Sequence, residues 1–521
     1  MLVGGSPVRV LRLTPAGARQ VADWFAGTPV PTDVGARALA RRLFDAGIAH
    51  PDYHGDKHPA AANVTVVIPV KDRHAELARC LAGLSGAAGG GGRAGGGGGG
   101  GAGGDAPRVV VVDDASADGG AIARICARYG ADVIRRSVNG GPGAARNTGL
   151  AAADTELVAF LDSDCVPAEG WLDGLLPHFA DPAVGAVAPR IVPHESGTGW
   201  LARYEGASST LDMGARPSIV RPGARVSYVP GAALVVRRSA AGAGFAPGMY
   251  VGEDVDFVWR LSAAGWRVRY EPGAVMAHDH RVRFRAWFAR RADYGTSAAA
   301  LEHLHPGAVR PLYVSWWTAG AWTAALSGRL VTAAALTGTA TALLAHRLSR
   351  VTGERWPLPS RPAAAGNKGV LEESGSLPTS GCGQRSTIPI EPRHAPDNSK
   401  KRSRWTASGE AAAWRLAVRL VAGGTVEAGR PLGSALSRTW WPIAVPAAIA
   451  VPKLRLPVAA LVIAPPLLDW FDRRPPLDPA RYVAARLLDD AAYSLGVWKG
   501  CLDRRTFRPL LPVIGARRQR G

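Results

Sequence analysis

The chain has 521 residues, 47% of them hydrophobic, and a formal net charge of +20. That length holds two or three domains with a sizeable core, and the charge suits anionic partners such as acidic headgroups or nucleotide sugars. Nucleic acid is set aside, because no compact Lys/Arg block interleaved with aromatics accompanies a nucleic-acid fold. The five cysteines (Cys80, Cys126, Cys165, Cys382, Cys501) are scattered and odd in number without a Cys-x-x-Cys pair, which indicates neither a zinc site nor a disulfide framework and fits a reducing cytoplasm. Met1 to Arg12 has no basic segment followed by an apolar core, so no secretory signal is expected.

Residues 1–58 read as a small α+β module. Val8 to Leu13 alternates like a strand, and Thr14-Pro15 opens a helix with Thr14 as N-cap and Pro15 at the first helical position. That helix would cover Gly17 to Phe25, and a second Val34 to Ala46. Two readings stay open: a plain packing extension, or a winged-helix-like module that docks a peptide acceptor.

Residues 63–285 read as one α/β domain. Val64 to Val70 and Val109 to Val112 are near-continuous β-branched runs, as parallel strands covered on both faces should be. Ala121 to Tyr129 supplies the intervening helix, Ala131 to Arg135 a third strand and Glu156 to Leu161 a fourth. Alternating strands and helices predict a doubly wound sheet with ligands at the carboxyl ends of its strands. The glycine tract 86–104 cannot bury a core and reads as a flexible insertion away from that ligand edge.

Beyond it lie a helical region over 286–351, a polar linker or insertion over 352–408 and an apolar helical region over 409–521. Arg329 leaves 17 residues from Leu312 to Gly328, and Lys453 and Arg455 divide Trp440 to Phe471. A membrane span needs about 20 apolar residues. These pieces therefore read as helices buried against the catalytic domain or lying at a membrane surface, the latter favoured by Trp316, Trp317, Trp322, Trp440 and Trp441.

The chemistry-bearing residues cluster at strand ends. Pro69 and Asp72 stand where the first strand ends, and Asp113-Asp114-Ala115-Ser116-Ala117-Asp118 where the second does. A carboxylate there can accept from a ribose hydroxyl or a base N–H, while Ser116 or Asp118 caps the following helix. Asn139-Gly140-Gly141-Pro142-Gly143-Ala144-Ala145-Arg146 follows the third strand. Its glycines admit a ligand to the backbone, and the helix N-terminus with Arg146 can meet a diphosphate. Asp162-Ser163-Asp164 closes the fourth strand with two carboxylates one residue apart, a site for a hard divalent cation, Mg²⁺ or Mn²⁺.

Farther on, Gly252-Glu253-Asp254-Val255-Asp256 opens a helix marked by the spacing of Val255, Val258 and Leu261. Acids at a helix start are favoured by its dipole, which accounts for one or two of them. The functional reading makes Asp254 a general base for an acceptor hydroxyl, with Glu253 beside it. His278-Asp279-His280 ends a short strand, Ala274 to Ala277, with both imidazoles on one side. One of the pair, His280 first, is a candidate metal ligand, and an ordinary surface role is the alternative.

Taken together these residues resemble family 2 of the inverting glycosyltransferases, with the GT-A fold. The resemblance rests on residues 66–70, 111–118, 145–149, 162–164 and 252–256. It implies that Asp114 contacts the uridine, that Arg146 lies by the nucleotide, that Asp164 holds the metal and that Asp254 is the base; with Asp164 on the metal, Asp162 reads as facing the sugar or ribose. Gly4 to Leu13, His278 to Arg281, Tyr294-Gly295-Thr296-Ser297-Ala298 and Arg474 to Pro479 further resemble the mycofactocin-system glycosyltransferases. That narrower resemblance implies a UDP-sugar donor, UDP-glucose first, and β-linked transfer to a small redox cofactor derived from a peptide. The rival expectations are a family 2 transferase acting on a lipid-linked or cell-wall glycan and a non-catalytic nucleotide-binding scaffold. A dehydrogenase is disfavoured, since no Gly-x-Gly-x-x-Gly follows the first strand.

Overall fold

The computed structural model describes residues 2–53, 58–87, 106–194, 197–353, 411 and 413–515. The linker read at 352–408 and nearly all of the glycine tract lie outside them; Gly86 and Ala87 close a helix. The chain divides into two compact units, Met1–Leu312 with Pro431–Val513 and Tyr313–Arg430 with Ile514–Gly521.

The first unit opens with a hairpin of β1 (Leu2–Gly4) and β2 (Arg9–Leu11), then α1 (Pro15–Phe25) and α2 (Val34–Asp45). The Thr14 hydroxyl accepts from the Gly17 amide at 3.0 Å, so α1 starts where the Thr-Pro pair predicts.

The central sheet has a parallel half and a mixed half. β3 (Val64–Val70), β4 (Arg108–Asp114), β5 (Asp132–Arg136) and β6 (Leu157–Leu161) pair in parallel in the order β5-β4-β3-β6. α3 (His74–Ala87), α4 (Gly119–Arg128) and α5 (Gly141–Ala152) connect them. Successive side chains feed two cores. Val64, Val66, Ile68, Leu157, Ala159 and Leu161 join one, and Val67, Val158 and Phe160 the other. Burial on both faces explains why these strands read as unbroken apolar runs.

The sheet continues through strands of which the sequence reading places only the stretch Ala274 to Ala277. β7 (Cys165–Pro167), β8 (Val184–Pro193), β9 (Ser218–Ile219), β10 (Ala233–Arg237) and β11 (Arg267–His278) extend it in the order β6-β10-β8-β11-β7, with β9 on β11. β10 runs antiparallel to β6 and β8, while β8 and β11 are parallel. The four-residue strand expected at Ala274 to Ala277 is therefore the end of a 12-residue strand, set off from its start by a register shift between Glu271 and Val275. α6 (Trp171–Leu175), α7 (Trp200–Ser208) and α8 (Glu253–Ala263) cover this half.

α9 (Phe284–Leu304) belongs to the same unit as the sheet, so the compact body does not end at the boundary drawn near 285. The second unit contains α10 (Trp316–Leu326) and α11 (Leu330–Gly353), separated near Arg329, with Trp322 Nε1 donating to the Thr425 carbonyl at 2.8 Å.

The chain then returns to the first unit. α12 (Gly429–Arg438) begins at the boundary, and α13 (Trp441–Ala450), α14 (Pro452–Arg473) and α15 (Pro479–Asp503) follow. Here the structure corrects the reading that Lys453 and Arg455 interrupt the apolar run. Both sit in the first turn and a half of one continuous 22-residue helix, which is long and apolar enough to cross a membrane by length and composition. α15 returns across α9, and Tyr204 on α7 donates to Asp489 on α15 at 3.1 Å. This long-range packing joins 431–513 to the sheet and overrides the boundary placed at 409.

Candidate active site

The exits of β3 and β4 are clamped together. Asp72 (φ 55°) and Ala115 (φ 59°) both occupy the left-handed region, a costly conformation for non-glycine residues that persists only when neighbours enforce it. The Asp72 amide donates to Ser116 Oγ at 2.9 Å, and the Asp72 carboxylate accepts from the Ala117 amide at 2.6 Å. Asp113 accepts from the Ser116 amide, and Asp118 caps α4 by accepting from Ala121.

Asp114 faces the other way and organises the glycine loop. Its carboxylate accepts from the Gly140 and Gly141 amides, at 2.8 Å for Gly141, and pairs with Arg136 at 2.8 Å. Gly141 has φ 82°, and a Cβ there would lie 2.8 Å from the Tyr250 ring, so both backbone and space require glycine. Gly143 is a packing position: its missing Cβ would lie 3.3 Å from Phe245 and 3.4 Å from Glu253.

Arg146, on α5, is buried and bridges two acids. Nη2 donates to Asp162 at 2.7 Å and Nη1 to Glu253 at 2.8 Å, with the guanidinium 5.3 Å from the Phe245 ring centroid. Burial alone would lower its pKa, but Asp162 and Glu253 outweigh that and raise it. Glu253 bears the cost of the crowding: burial first, then Asp254, push its carboxyl up to about 7 against the pull of Arg146.

Asp254 is the half-buried member of the acidic pair. Its Oδ2 accepts from the Gly231 amide at 2.8 Å and its Oδ1 from the Val255 amide. Gly231 is tightly fitted, since a Cβ there would lie 3.0 Å from Asp254 Cβ and 3.2 Å from the Arg146 guanidinium. The same loop thus touches the arginine hub and the acid beside it.

Asp164 meets His278, whose Nε2 lies 3.5 Å from its Oδ1, while Arg73 donates to its other oxygen. Burial pushes the Asp164 carboxyl upward, but His278 and Arg73 overcome it and hold the group below its ordinary value. A ligand atom of Cys165 lies within 4.8 Å of those of Asp164 and His278. Burial raises the Cys165 thiol well above its usual range, and its Sγ lies 3.5 Å from the Ala232 carbonyl, so it offers no thiolate. One carboxylate and one imidazole remain, with His278 Nδ1 buried and without a hydrogen-bond partner among the described residues. That donor set fits a divalent cation whose other positions are filled by substrate oxygens.

His280 turns elsewhere: its Nδ1 lies 3.9 Å from Glu205, and burial, with His278 and Arg291 nearby, lowers its pKa to about 4. The structure therefore puts His278, rather than His280, beside Asp164.

A cavity of about 1710 Å³ gathers these groups. Pro69, Asp114, Arg146, Asp162, Asp164, Glu253, Asp254 and His280 line it. Asp72, Ser116 and Gly143 do not: the first two clasp the strand exits and the third packs beneath the wall. Sequence reasoning gave no role to several other lining residues, among them Arg73, Tyr228, Arg290, Tyr294, Arg438 and Tyr493. They come from α9, α12, α15 and loops, with no local motif to mark them; of these only Tyr294 lies in a stretch, 294–298, that resembles the mycofactocin-system enzymes.

The model for glycosyl transferase family 2 matches residues 65–242, and that for glycosyl transferase family group 2 matches 157–349. The pre-mycofactocin glycosyltransferase of Mycobacterium tuberculosis is 36% identical over 98% of this chain and 94% of its own length. The chain belongs to glycosyltransferase family 2. The enzyme has the α/β GT-A fold, with the helical C-terminal region added to it. The O-antigen chain rhamnosyltransferase RfbN of Salmonella typhimurium is 28% identical over 29% of this glycosyltransferase and 51% of its own chain. The solved mannosyltransferase PcManGT from Pyrobaculum calidifontis, in complex with GDP-Man and Mn²⁺, aligns with 63% of this chain and 86% of its own. Its identity is 22% and its TM-score 0.37, a superposition too loose to add to the family assignment.

Proposed function

We propose that this glycosyltransferase moves a hexose, glucose first among the candidates, from a UDP-sugar to a hydroxyl of the peptide-derived mycofactocin precursor, building a β-linked oligosaccharide. The observation that carries the reading is the 36% identity to the pre-mycofactocin glycosyltransferase across 98% of the chain. The site supports it with a carboxylate facing the cavity, Asp254, next to one locked on Arg146, Glu253.

In the proposed single displacement, Asp254 takes the acceptor proton as the acceptor oxygen bonds to the anomeric carbon. The bond from that carbon to the diphosphate breaks, and UDP leaves with the electron pair, giving inversion. Asp164 and His278 would hold a divalent cation, Mg²⁺ or Mn²⁺, which when bound supplies positive charge for the leaving diphosphate. Asp114 keeps the glycine loop in shape for the nucleotide, and Arg146 fixes Asp162 towards the sugar or ribose.

A cytoplasmic enzyme working at the inner membrane face is part of this proposal. α14 supports it, because Leu456, Ile463, Leu468 and Phe471 are exposed along a helix that is little buried. The test is mass spectrometry of products after incubating the purified enzyme with a panel of nucleotide sugars and either the peptide-derived acceptor or a lipid-linked one. Hexose added to the first is expected; addition to the lipid-linked acceptor alone would replace this reading with the cell-wall one.

A further inference from the structure

α9 and α15 meet backbone to backbone. A Cβ on Gly295 would lie 2.1 Å from the Tyr493 carbonyl oxygen, one on Gly496 1.8 Å from that of Ala292, and one on Gly500 2.5 Å from that of Thr296. Such contacts fix the register of the pair, because no other residue fits the seam. The acidic helix is keyed to the same seam: a Cβ on Gly252, the residue before Glu253, would lie 2.8 Å from Ser297 Cβ. Side chains beside the seam are therefore placed rigidly with respect to Asp254.

Three of the cavity's lining residues here are tyrosines: Tyr228, Tyr294 and Tyr493, all half-buried. The Arg438 guanidinium lies 4.4 Å from the Tyr493 ring centroid, and that of Arg290 4.8 Å from Tyr294, so these two of the three rings are backed by a cation. Arg438 is itself held by Asp490 at 3.2 Å. Tyr228 lies on the loop that ends in Gly231, the donor to Asp254. Burial first, then Tyr493, with Asp254 and Tyr294 adding to it, push its phenol up to about 12, so it keeps its proton at neutral pH.

None of these rings belongs to the strand ends that carry Asp114, Arg146 and Asp164. The cavity, at about 1710 Å³, also exceeds the roughly 300–1,000 Å³ of a one-ligand pocket, leaving room for a second substrate. We propose that Tyr228, Tyr294 and Tyr493 form the acceptor subsite, a wall of aromatic faces that seats a flat ring of the acceptor beside Asp254. The ring is either aromatic or the apolar face of a pyranose, which share this stacking chemistry. The inference rests on the transferase reading above and names the second substrate's site within it.

The test needs no turnover. Phenyl β-glucoside, which carries both kinds of ring, is titrated calorimetrically into the full-length enzyme loaded with UDP. Wild type should bind it. Tyr294→Leu and Tyr493→Leu should bind at least tenfold more weakly, Tyr493→Phe should retain binding, and UDP affinity should stay within twofold throughout. Methyl β-glucoside run alongside separates the two rings: equal affinity assigns the pyranose, and loss assigns the aromatic ring. No binding by wild type, equal binding by the leucine variants, or a parallel loss of UDP binding would overturn the subsite. An enzyme that binds the glucoside but transfers nothing to the peptide-derived acceptor fails the functional reading alone.

Discussion

Arg146 donates a 2.8 Å hydrogen bond to Glu253, yet Glu253 remains hard to ionise, because it is 6% exposed and adjoins Asp254. Arg146 already balances Asp162, so a second full negative charge on Glu253 is not matched. With the folded value raised to about 7 from 4.5, Glu253 contributes stability that is complete below pH 4.5 and is lost as pH rises through 7. Glu253→Gln keeps an oxygen for Arg146 and removes the titration. The variant should melt close to wild type at pH 5 and above it at pH 8, by on the order of 1–3 kcal/mol. Parallel melting curves over that range would mean that Glu253 does not titrate there.

Asp254 differs from Glu253 in being only half-buried, and its fixed contacts come from the Gly231 and Val255 amides rather than from Arg146. Asparagine keeps the size of the side chain and one carbonyl oxygen to accept from one of the two amides, but it cannot take a proton. Asp254→Asn should cut sugar transfer by about 10²–10⁴ and leave UDP-sugar affinity nearly unchanged. Transfer rates and calorimetric donor binding, measured on the same preparation, check this; lost donor binding would remove Asp254 from the base role.

Asp164 and His278 should act together towards a cation. UDP binding is expected to tighten when Mn²⁺ is added to wild type and to respond much less in Asp164→Asn or His278→Ala. His280→Ala should keep the wild-type response, because that ring lies by Glu205. A His280 variant that loses the Mn²⁺ response while the His278 variant retains it would reverse the assignment.

How much of this was legible in the sequence follows from where each residue's information lies. β3, β4 and β6 announce themselves, since burial on both faces demands unbroken apolar runs, and the acids at their ends follow in register. Thr14 is equally local, because a cap is written in two adjacent residues. The mixed half of the sheet is different. β8, β10 and β11 pair across long separations in sequence, and which strand meets which depends on packing that no short window contains. The ion pair Arg73–Asp164 spans 91 positions, and His278 reaches Asp164 only through β11. The tyrosine wall is illegible for the same reason: Tyr294 and Tyr493 lie on two helices joined by glycines that, one at a time, look like poor helix residues, and Tyr228 lies on a separate loop.

That seam gives the sharpest contrast between two identical substitutions. Gly338 lies in α11, exposed, with nothing within 4 Å of where a Cβ would stand, so alanine there only restricts the unfolded chain and favours the helix. Gly338→Ala should stabilise by about 0.5–1 kcal/mol. Gly496 lies in α15, where the same methyl would sit 1.8 Å from the Ala292 carbonyl oxygen and 2.9 Å from Gly295 Cα. Both atoms are backbone and cannot swing aside, so α15 must move away from α9. Gly496→Ala should destabilise by about 1–3 kcal/mol or more, and should also weaken transfer by loosening the wall beside Asp254. Thermal melts of the two variants beside wild type check the pair, and a Gly496→Ala enzyme as stable as Gly338→Ala would show that the helices do not meet along this seam.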